Sequence, residues 1–300
     1  MKQYDGKILN IMLCSACNTQ CKHCYICYKG NFEEKKLEEI IKNFKGEKIT
    51  LNGTEPMLFP NFLKYFKMVG QDYIFTNSNI IYKNPNMLDK LLNNGIKKVC
   101  FSYHYGIQDS ISNIPLSQVE KCIELCINKG LKVRLLCSVC KQNMNLLDEF
   151  CKKALELNVH EIQLTNFIIQ GNAIKNNLYD FKLNDDEILE TLKKINELRK
   201  KYPKDDLFID RCGSFGNSIN SKNYLCDAGI DDVTITPDLK LYPCIFFAGI
   251  KKFEIGYYNN GNFYLTKECK HDCNNCLAKK MFNDNDKNFH FIENIKQIKK

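Results

Sequence analysis

From residue 8 to about 168 the sequence alternates between short apolar runs and longer amphipathic stretches, and no other feature constrains the fold as much. Strand candidates lie at 8–13, 48–52, 72–76, 97–103, 132–138 and 161–168. Helix candidates lie near 33–44, 60–69, 86–94, 116–129 and 145–157, with another at 185–201. Strict strand–helix alternation implies parallel strands joined by right-handed crossovers, and six such units make an open, partial barrel of the α/β class. Asn31 with Glu34, and Ser117 with Glu120, read as capping boxes at helix starts. Val119, Cys122, Ile123 and Cys126 follow helical spacing, as do Leu147, Phe150, Cys151 and Ala154. Cys122, Cys126 and Cys151 are therefore read as small apolar core residues. After Lys201-Tyr202-Pro203 the alternation stops, and short strands at 233–235 and 240–242 flank a Pro237-Asp238 turn. The expected division is a first domain over 1–204 and a small cysteine-rich one over 205–300.

The loop leaving the first strand contains CNTQCKHCY, in which Cys17, Cys21 and Cys24 have the spacing C-x3-C-x2-C. Three thiolates from one short loop can grip three irons of a four-iron cubane and leave the fourth iron open. Structural zinc sites usually pair cysteines as C-x2-C and close with four ligands, so with three ligands zinc is the weaker reading of this triplet.

CNTQCKHCY resembles the cluster loop of the radical S-adenosylmethionine (radical SAM) superfamily, in which an aromatic residue usually precedes the third cysteine; here that residue is His23. The resemblance implies a (β/α)6 partial barrel with its site at the C-terminal ends of the strands. It implies S-adenosylmethionine as cofactor, cleaved reductively to a 5′-deoxyadenosyl radical that abstracts a hydrogen atom from substrate. Asn52-Gly53-Thr54-Glu55-Pro56 resembles the family's Gly-Gly-Glu-Pro, with Gly53, Glu55 and Pro56 matching and Thr54 replacing the second glycine. That match implies Glu55 as partner of the cofactor's ammonium group, a charge-assisted bond. On the residues alone the same segment is also a turn followed by a helix beginning at Pro56. Thr76-Asn77-Ser78 resembles Thr-Asn-Gly, and Ser102-Tyr103-His104 stands where related sequences read Ser-x-Asp. Asn77 and Ser102 join His23, Gly53, Glu55 and Pro56 as expected cofactor-binding residues. Arg134 is either a barrel-lining charge awaiting an anion such as the methionine carboxylate, or a surface residue. Gln170-Gly171-Asn172-Ala173 is expected to close near the adenine.

A second group, Cys226, Cys244, Cys273 and Cys276, forms C-x17-C followed by C-x2-C. It resembles the auxiliary-cluster region called SPASM, or its shorter form twitch, and implies a second 4Fe–4S cluster. Leu239 stands where the family has a glycine, and Cys269 is a spare or substitute ligand. A four-cysteine zinc ribbon is the alternative. Asp210 and Cys212 are the only candidates for a catalytic acid or hydrogen-atom donor.

Seventeen cysteines, an odd number lying partly inside apolar patterns, argue against a disulfide framework and suggest a reducing cytoplasm. No secretory signal and no membrane-length apolar run is present in the sequence. The formal charge of +8 is spread over Lys-rich helices, so neither nucleic acid nor membrane is expected as a partner. The subgroup's usual substrate is a ribosomally made peptide, crosslinked, oxidised or epimerised, with a flavodoxin or ferredoxin as electron donor. Dehydrogenation of a small alcohol such as an aminocyclitol is the alternative. A non-catalytic iron–sulfur or zinc protein is the alternative of another class. With the first strand starting at residue 8, a leader peptide is expected to be captured by the barrel mouth, a partner or the C-terminal segment.

Overall fold

The computed structural model describes residues 2–212, 215 and 228–267. In chain order the strands are β1 (Lys2–Gln3), β2 (Ile8–Met12), β3 (Lys48–Asn52), β4 (Tyr73–Thr76), β5 (Lys98–Ser102) and β6 (Lys132–Val139). They continue as β7 (Glu161–Asn166), β8 (Phe208–Arg211), β9 (Asp232–Ile235), β10 (Lys240–Tyr242), β11 (Gly256–Asn259) and β12 (Asn262–Leu265). The helices are α1 (Glu34–Asn43), α2 (Phe62–Met68), α3 (Asn79–Lys83), α4 (Met87–Asn93), α5 (Gln108–Ile111), α6 (Leu116–Asn128), α7 (Leu147–Glu156), α8 (Asn172–Lys175) and α9 (Asp185–Lys201). The chain forms two compact units, each discontinuous in sequence. One takes Met1–Cys17, Ile26–Gln71 and the described part of Leu225–Lys300; the other takes Asn18–Tyr25 and Asp72–Tyr224.

The second unit carries a five-stranded parallel sheet in the order β4-β5-β6-β7-β8. Its register puts Cys100 beside Arg134, Leu136 beside Gln163, and Gln163 beside Asp210. Along β6, Val133, Leu135, Cys137 and Val139 are buried, whereas Arg134, Leu136 and Ser138 are half-buried. The buried face packs under the helices: the Tyr103 hydroxyl donates to Glu120 of α6 at 2.8 Å, and its ring stacks on Phe150 of α7 at 5.9 Å. Each Val, Leu, Ile or Phe withdrawn from water there contributes about 1.5–3 kcal/mol. Cys122, Cys126 and Cys151 lie in this core, fully buried. The half-buried face is the polar one, with Ser102, Arg134, Ser138, Gln163 and Asp210.

The first unit carries a seven-stranded mixed sheet, β1-β12-β11-β10-β9-β2-β3. β2 pairs in parallel with both β3 and β9, and the remaining pairs are antiparallel. Leu9 lies beside Val233 and Ile11 beside Ile235, so the strand at 232–235 extends the sheet begun by β2 rather than standing apart from it. The two units therefore do not divide at 205, and a module boundary there remains a proposal about where the auxiliary segment begins.

The expected strands and helices are present within a few residues, with β8 as an additional parallel strand. The two expected capping boxes do not form. Asn31 instead makes a β-bridge with Cys14, and Glu34 accepts the Tyr65 hydroxyl at 2.6 Å. α6 starts after Pro115, and Glu120 is taken by Tyr103. A full capping box occurs at α9, where Glu187 N–H donates to Asn184 at 2.9 Å and Asn184 N–H donates to Glu187 at 2.7 Å. Three acidic residues in its first turn and three basic ones in its last complement the helix dipole. Among the described residues no helix is long and apolar enough to cross a membrane.

Candidate functional site

β2 hands the chain to the cysteine loop through Leu13, whose N–H donates to Asn52 at 2.7 Å. Cys14 follows, fully buried, its thiol pushed up to about 11 by burial, with the Tyr28 hydroxyl donating to its carbonyl at 2.6 Å. It is a structural cysteine. The loop after β3 clasps this stretch: Thr54 N–H donates to the Cys14 carbonyl at 3.0 Å and Glu55 N–H to that of Ala16 at 3.1 Å. A side chain at Gly53 would meet the Cys14 carbonyl at 3.3 Å and its sulfur at 3.4 Å, which accounts for glycine there. The Glu55 side chain is fully buried, and the neighbouring Thr54 hydroxyl is buried without a hydrogen-bond partner. Pro56 opens a short 3-10 turn, Pro56–Leu58, so the turn-and-helix reading of this motif holds as well.

In the second unit two loops at the C-terminal ends of strands grip Asn18–Tyr25. The loop after β5 offers the Ile111 carbonyl, which accepts Lys22 N–H at 2.8 Å and lies 3.2 Å from His23 Nδ1. Gln108, buried, braces that loop by accepting His104 N–H at 2.9 Å and donating to the Ile114 carbonyl at 2.8 Å. The loop after β7 binds from the other side. Asn172 donates its N–H to the Cys24 carbonyl at 2.8 Å and its amide to that of Cys21 at 3.1 Å, and Gln170 donates to the Tyr25 carbonyl at 2.8 Å. Gly171 lies so close that a β-carbon would sit 2.6 Å from the Cys24 carbonyl. The Gln170-Gly171-Asn172 segment, expected near an adenine, thus holds the backbone of the cysteine loop itself.

His104, standing where an aspartate was expected, packs edge-on against His23 with ring centroids 4.6 Å apart. Ser138 N–H donates to His104 Nδ1 at 3.1 Å, which assigns the ring hydrogen to Nε2. Burial lowers the proton affinity of both rings, and the nearby His23 lowers that of His104 further, so the pair is neutral near pH 7.

Asn77 accepts Asn79 N–H and donates to Asn18 at 2.9 Å, anchoring the start of the loop segment. Ser102 ends β5 on the half-buried polar face. Arg134 lies on that face too, near the start of its strand, but the anions it meets belong to the chain: Glu161 at 2.7 Å from Nε and Asp210 at 3.8 Å from Nη1. Lys98 reaches Glu161 at 2.6 Å. These contacts answer the charge that the sequence left open to a cofactor carboxylate. Asp210 also accepts from Gln163 at 3.0 Å, and Cys212, just past β8, donates its N–H to Leu164 at 2.8 Å.

Cys17, Cys21 and Cys24 are half-exposed and in no disulfide. The unit division runs through their loop, with Cys17 on one side and Cys21 and Cys24 on the other. Among the described residues no group of three or more His, Cys, Asp and Glu side chains is gathered as a metal site. Of the second cysteine group only Cys244 is described, half-exposed and in extended backbone ahead of a 3-10 turn; Cys226, Cys269, Cys273 and Cys276 lie outside the described residues.

No protein-family model matches the sequence, and no curated protein does. Among solved structures the chain is similar to SuiB of Streptococcus suis bound to precursor peptide SuiA, with a TM-score of 0.64 and 16% identity over 83% of this chain. It is similar to anSMEcpe with bound AdoMet, with a TM-score of 0.64 and 17% identity over 84% of this chain and 77% of that one. The chain shares its fold with SuiB and anSMEcpe. A further match is SuiB bound to S-adenosylmethionine, with a TM-score of 0.63 and 15% identity over 82% of this chain. The chain spans about 62% of the length of SuiB in the peptide-bound structure.

Proposed function

We propose that this chain is a radical SAM enzyme that modifies a ribosomally made peptide. The observation that carries the reading is the double grip on Asn18–Tyr25 by the loops after β5 and β7, which spends buried polar groups on holding a cysteine-bearing loop in one shape. The donor set fits a 4Fe–4S cluster: three half-exposed thiols, none in a disulfide, in a spacing that leaves one iron free. Cys17, Cys21 and Cys24 would hold that cluster. The buried Glu55 carboxylate and Thr54 hydroxyl suit the ammonium group of S-adenosylmethionine. When bound, the cluster and S-adenosylmethionine supply reductive cleavage to a 5′-deoxyadenosyl radical that takes a hydrogen atom from substrate.

The chain's own residues bind and orient. Thr54 and Glu55 hold the backbone at Cys14 and Ala16, and Gly53 allows the close approach. Asn77 fixes Asn18, and His23 is held in place by Ile111 and His104. Ser102, on the half-buried face, is assigned to a cofactor contact, and Asp210 and Cys212 are the candidates for a catalytic acid or hydrogen-atom donor. A second 4Fe–4S cluster on Cys226, Cys244, Cys273 and Cys276, a flavodoxin- or ferredoxin-type donor, a cytoplasmic setting and an oxidative outcome complete the proposal. Peptide as substrate is supported by the similarity to SuiB, solved with a precursor peptide, and to anSMEcpe, solved with the Cp18Cys peptide.

The test is mass spectrometry after anaerobic turnover with S-adenosylmethionine, a reductant, and short peptides encoded beside the gene. A peptide lighter by about two hydrogens, with matching 5′-deoxyadenosine, is the expected result. Oxidation of an aminocyclitol with the peptides untouched would overturn the peptide substrate.

A further inference from the structure

Ser112 follows α5, in the braced loop that also receives Lys22 and His23, and its hydroxyl lies 3.5 Å from Cys21 Sγ. The hydroxyl has a second partner that is compatible with its donating to the sulfur. Ile114 N–H donates to Ser112 Oγ at 3.1 Å, occupying an acceptor lone pair and leaving the single hydroxyl hydrogen free to point at the sulfur. Thr19 Oγ1 lies 3.6 Å from the same sulfur. A thiolate has no hydrogen to give, so a metal-bound Cys21 can only accept.

We propose that Ser112 is a positioning residue that donates a hydrogen bond to the Cys21 thiolate and raises the reduction potential of the cluster held there. The proposal rests on the radical SAM reading given above. Hydrogen bonds to cluster sulfurs stabilise the more negative, reduced state and are among the factors that set iron–sulfur potentials. Gln108 makes the donor rigid: its two bonds pin His104 and Ile114, which bracket the loop that presents Ser112. A donor held in this way keeps its geometry in both redox states and therefore acts on the difference between them.

The experiment is an EPR-monitored redox titration of the anaerobically reconstituted full chain, comparing wild type with Ser112→Ala and with the isosteric pair Ser112→Thr and Ser112→Val. Iron content and circular dichroism report loading and folding. The relevant signal is the one lost in the Cys17, Cys21 and Cys24 triple alanine variant. Ser112→Ala and Ser112→Val should lower the reduced-to-oxidised ratio at fixed potential about tenfold, a shift of about 59 mV to more negative values for one electron. Ser112→Thr, which keeps the hydroxyl, should stay at the wild-type midpoint. Fully loaded Ala and Val variants with an unmoved midpoint would overturn the Ser112 assignment alone, as would a Thr variant shifted as far as Val. A wild-type chain that assembles no reducible cluster would overturn the radical SAM reading beneath it.

Discussion

Gly171→Ala should damage the cysteine loop out of proportion to its size. Gly171 has φ 58° and ψ −120°, a backbone conformation that side-chain-bearing residues adopt only at a cost of about 1–3 kcal/mol. The added methyl would also sit 2.6 Å from the Cys24 carbonyl and 3.1 Å from the Tyr25 carbonyl carbon, both backbone atoms with no rotamer to escape into. Relieving such overpacking costs about another 1–3 kcal/mol. If the loop moves away instead, the bond from Asn172 N–H to Cys24 is lost, at about 1 kcal/mol, and the thiols move with it. The expected total is a destabilisation of about 2–6 kcal/mol, read by thermal or urea unfolding of the metal-free chain, with reduced iron per chain after reconstitution. Gly130→Ala is the control: φ is +79°, but a β-carbon there meets nothing within 4 Å. It should cost only about 1–2 kcal/mol of backbone strain and leave iron loading intact. Equal effects of the two substitutions on iron loading would refute the claim that Gly171 is there for its approach to Cys24.

Leu239 has φ 63° in the turn between β9 and β10, so Leu239→Gly should raise the stability by about 1 kcal/mol, measured as a higher urea midpoint at unchanged slope. Arg134→Met should cost about 2 kcal/mol, less than the roughly 3–5 for a fully buried pair, because Lys98 still faces Glu161; unfolding titrations at low and high salt check this. Burial raises the proton affinity of Glu161, but hydrogen bonds from Arg134 and Lys98 outweigh it and hold the carboxyl below its ordinary value. The stability this pairing supplies is therefore complete above about pH 4.3 and is lost as pH falls through the lower folded value, so Glu161→Gln should flatten the acid limb of a melting-temperature profile. Glu55→Gln should weaken S-adenosylmethionine binding by about 1.5–3 kcal/mol in calorimetry at unchanged iron content.

The parallel strands and their helices were legible because apolar runs of strand length alternate with helical periodicity, and Cys122, Cys126 and Cys151 fell on the buried helix faces as their spacing required. β8 was not, since Phe208-Ile209-Asp210-Arg211 puts charges on a strand whose other members are apolar. Nor was the pairing of β9 with β2, because sequence adjacency carries no information about which edge a distant strand will join. Cysteine spacing and the Gly53-Thr54-Glu55-Pro56 motif drew attention to the cysteine loop and to the segment that bonds its backbone at Cys14 and Ala16. Gln108 and Ser112 were hidden, and Asn172 was named only within a segment expected near an adenine; all three act through backbone carbonyls or one sulfur, contacts that no spacing rule announces. His104 drew notice only as a departure from an expected aspartate, and its partner His23 was seen only as a substitute aromatic. Leu239 was marked as a missing glycine, and its positive φ shows why glycine suits that turn.

The central claim is that Cys17, Cys21 and Cys24 carry the chemistry, and the most direct test is 5′-deoxyadenosine production. Anaerobically reconstituted wild-type chain with dithionite and S-adenosylmethionine should form it, while the variant with all three cysteines changed to alanine should form none and lose about half its iron. A triple variant that still cleaves S-adenosylmethionine, or a loaded wild type that never does, would contradict the account.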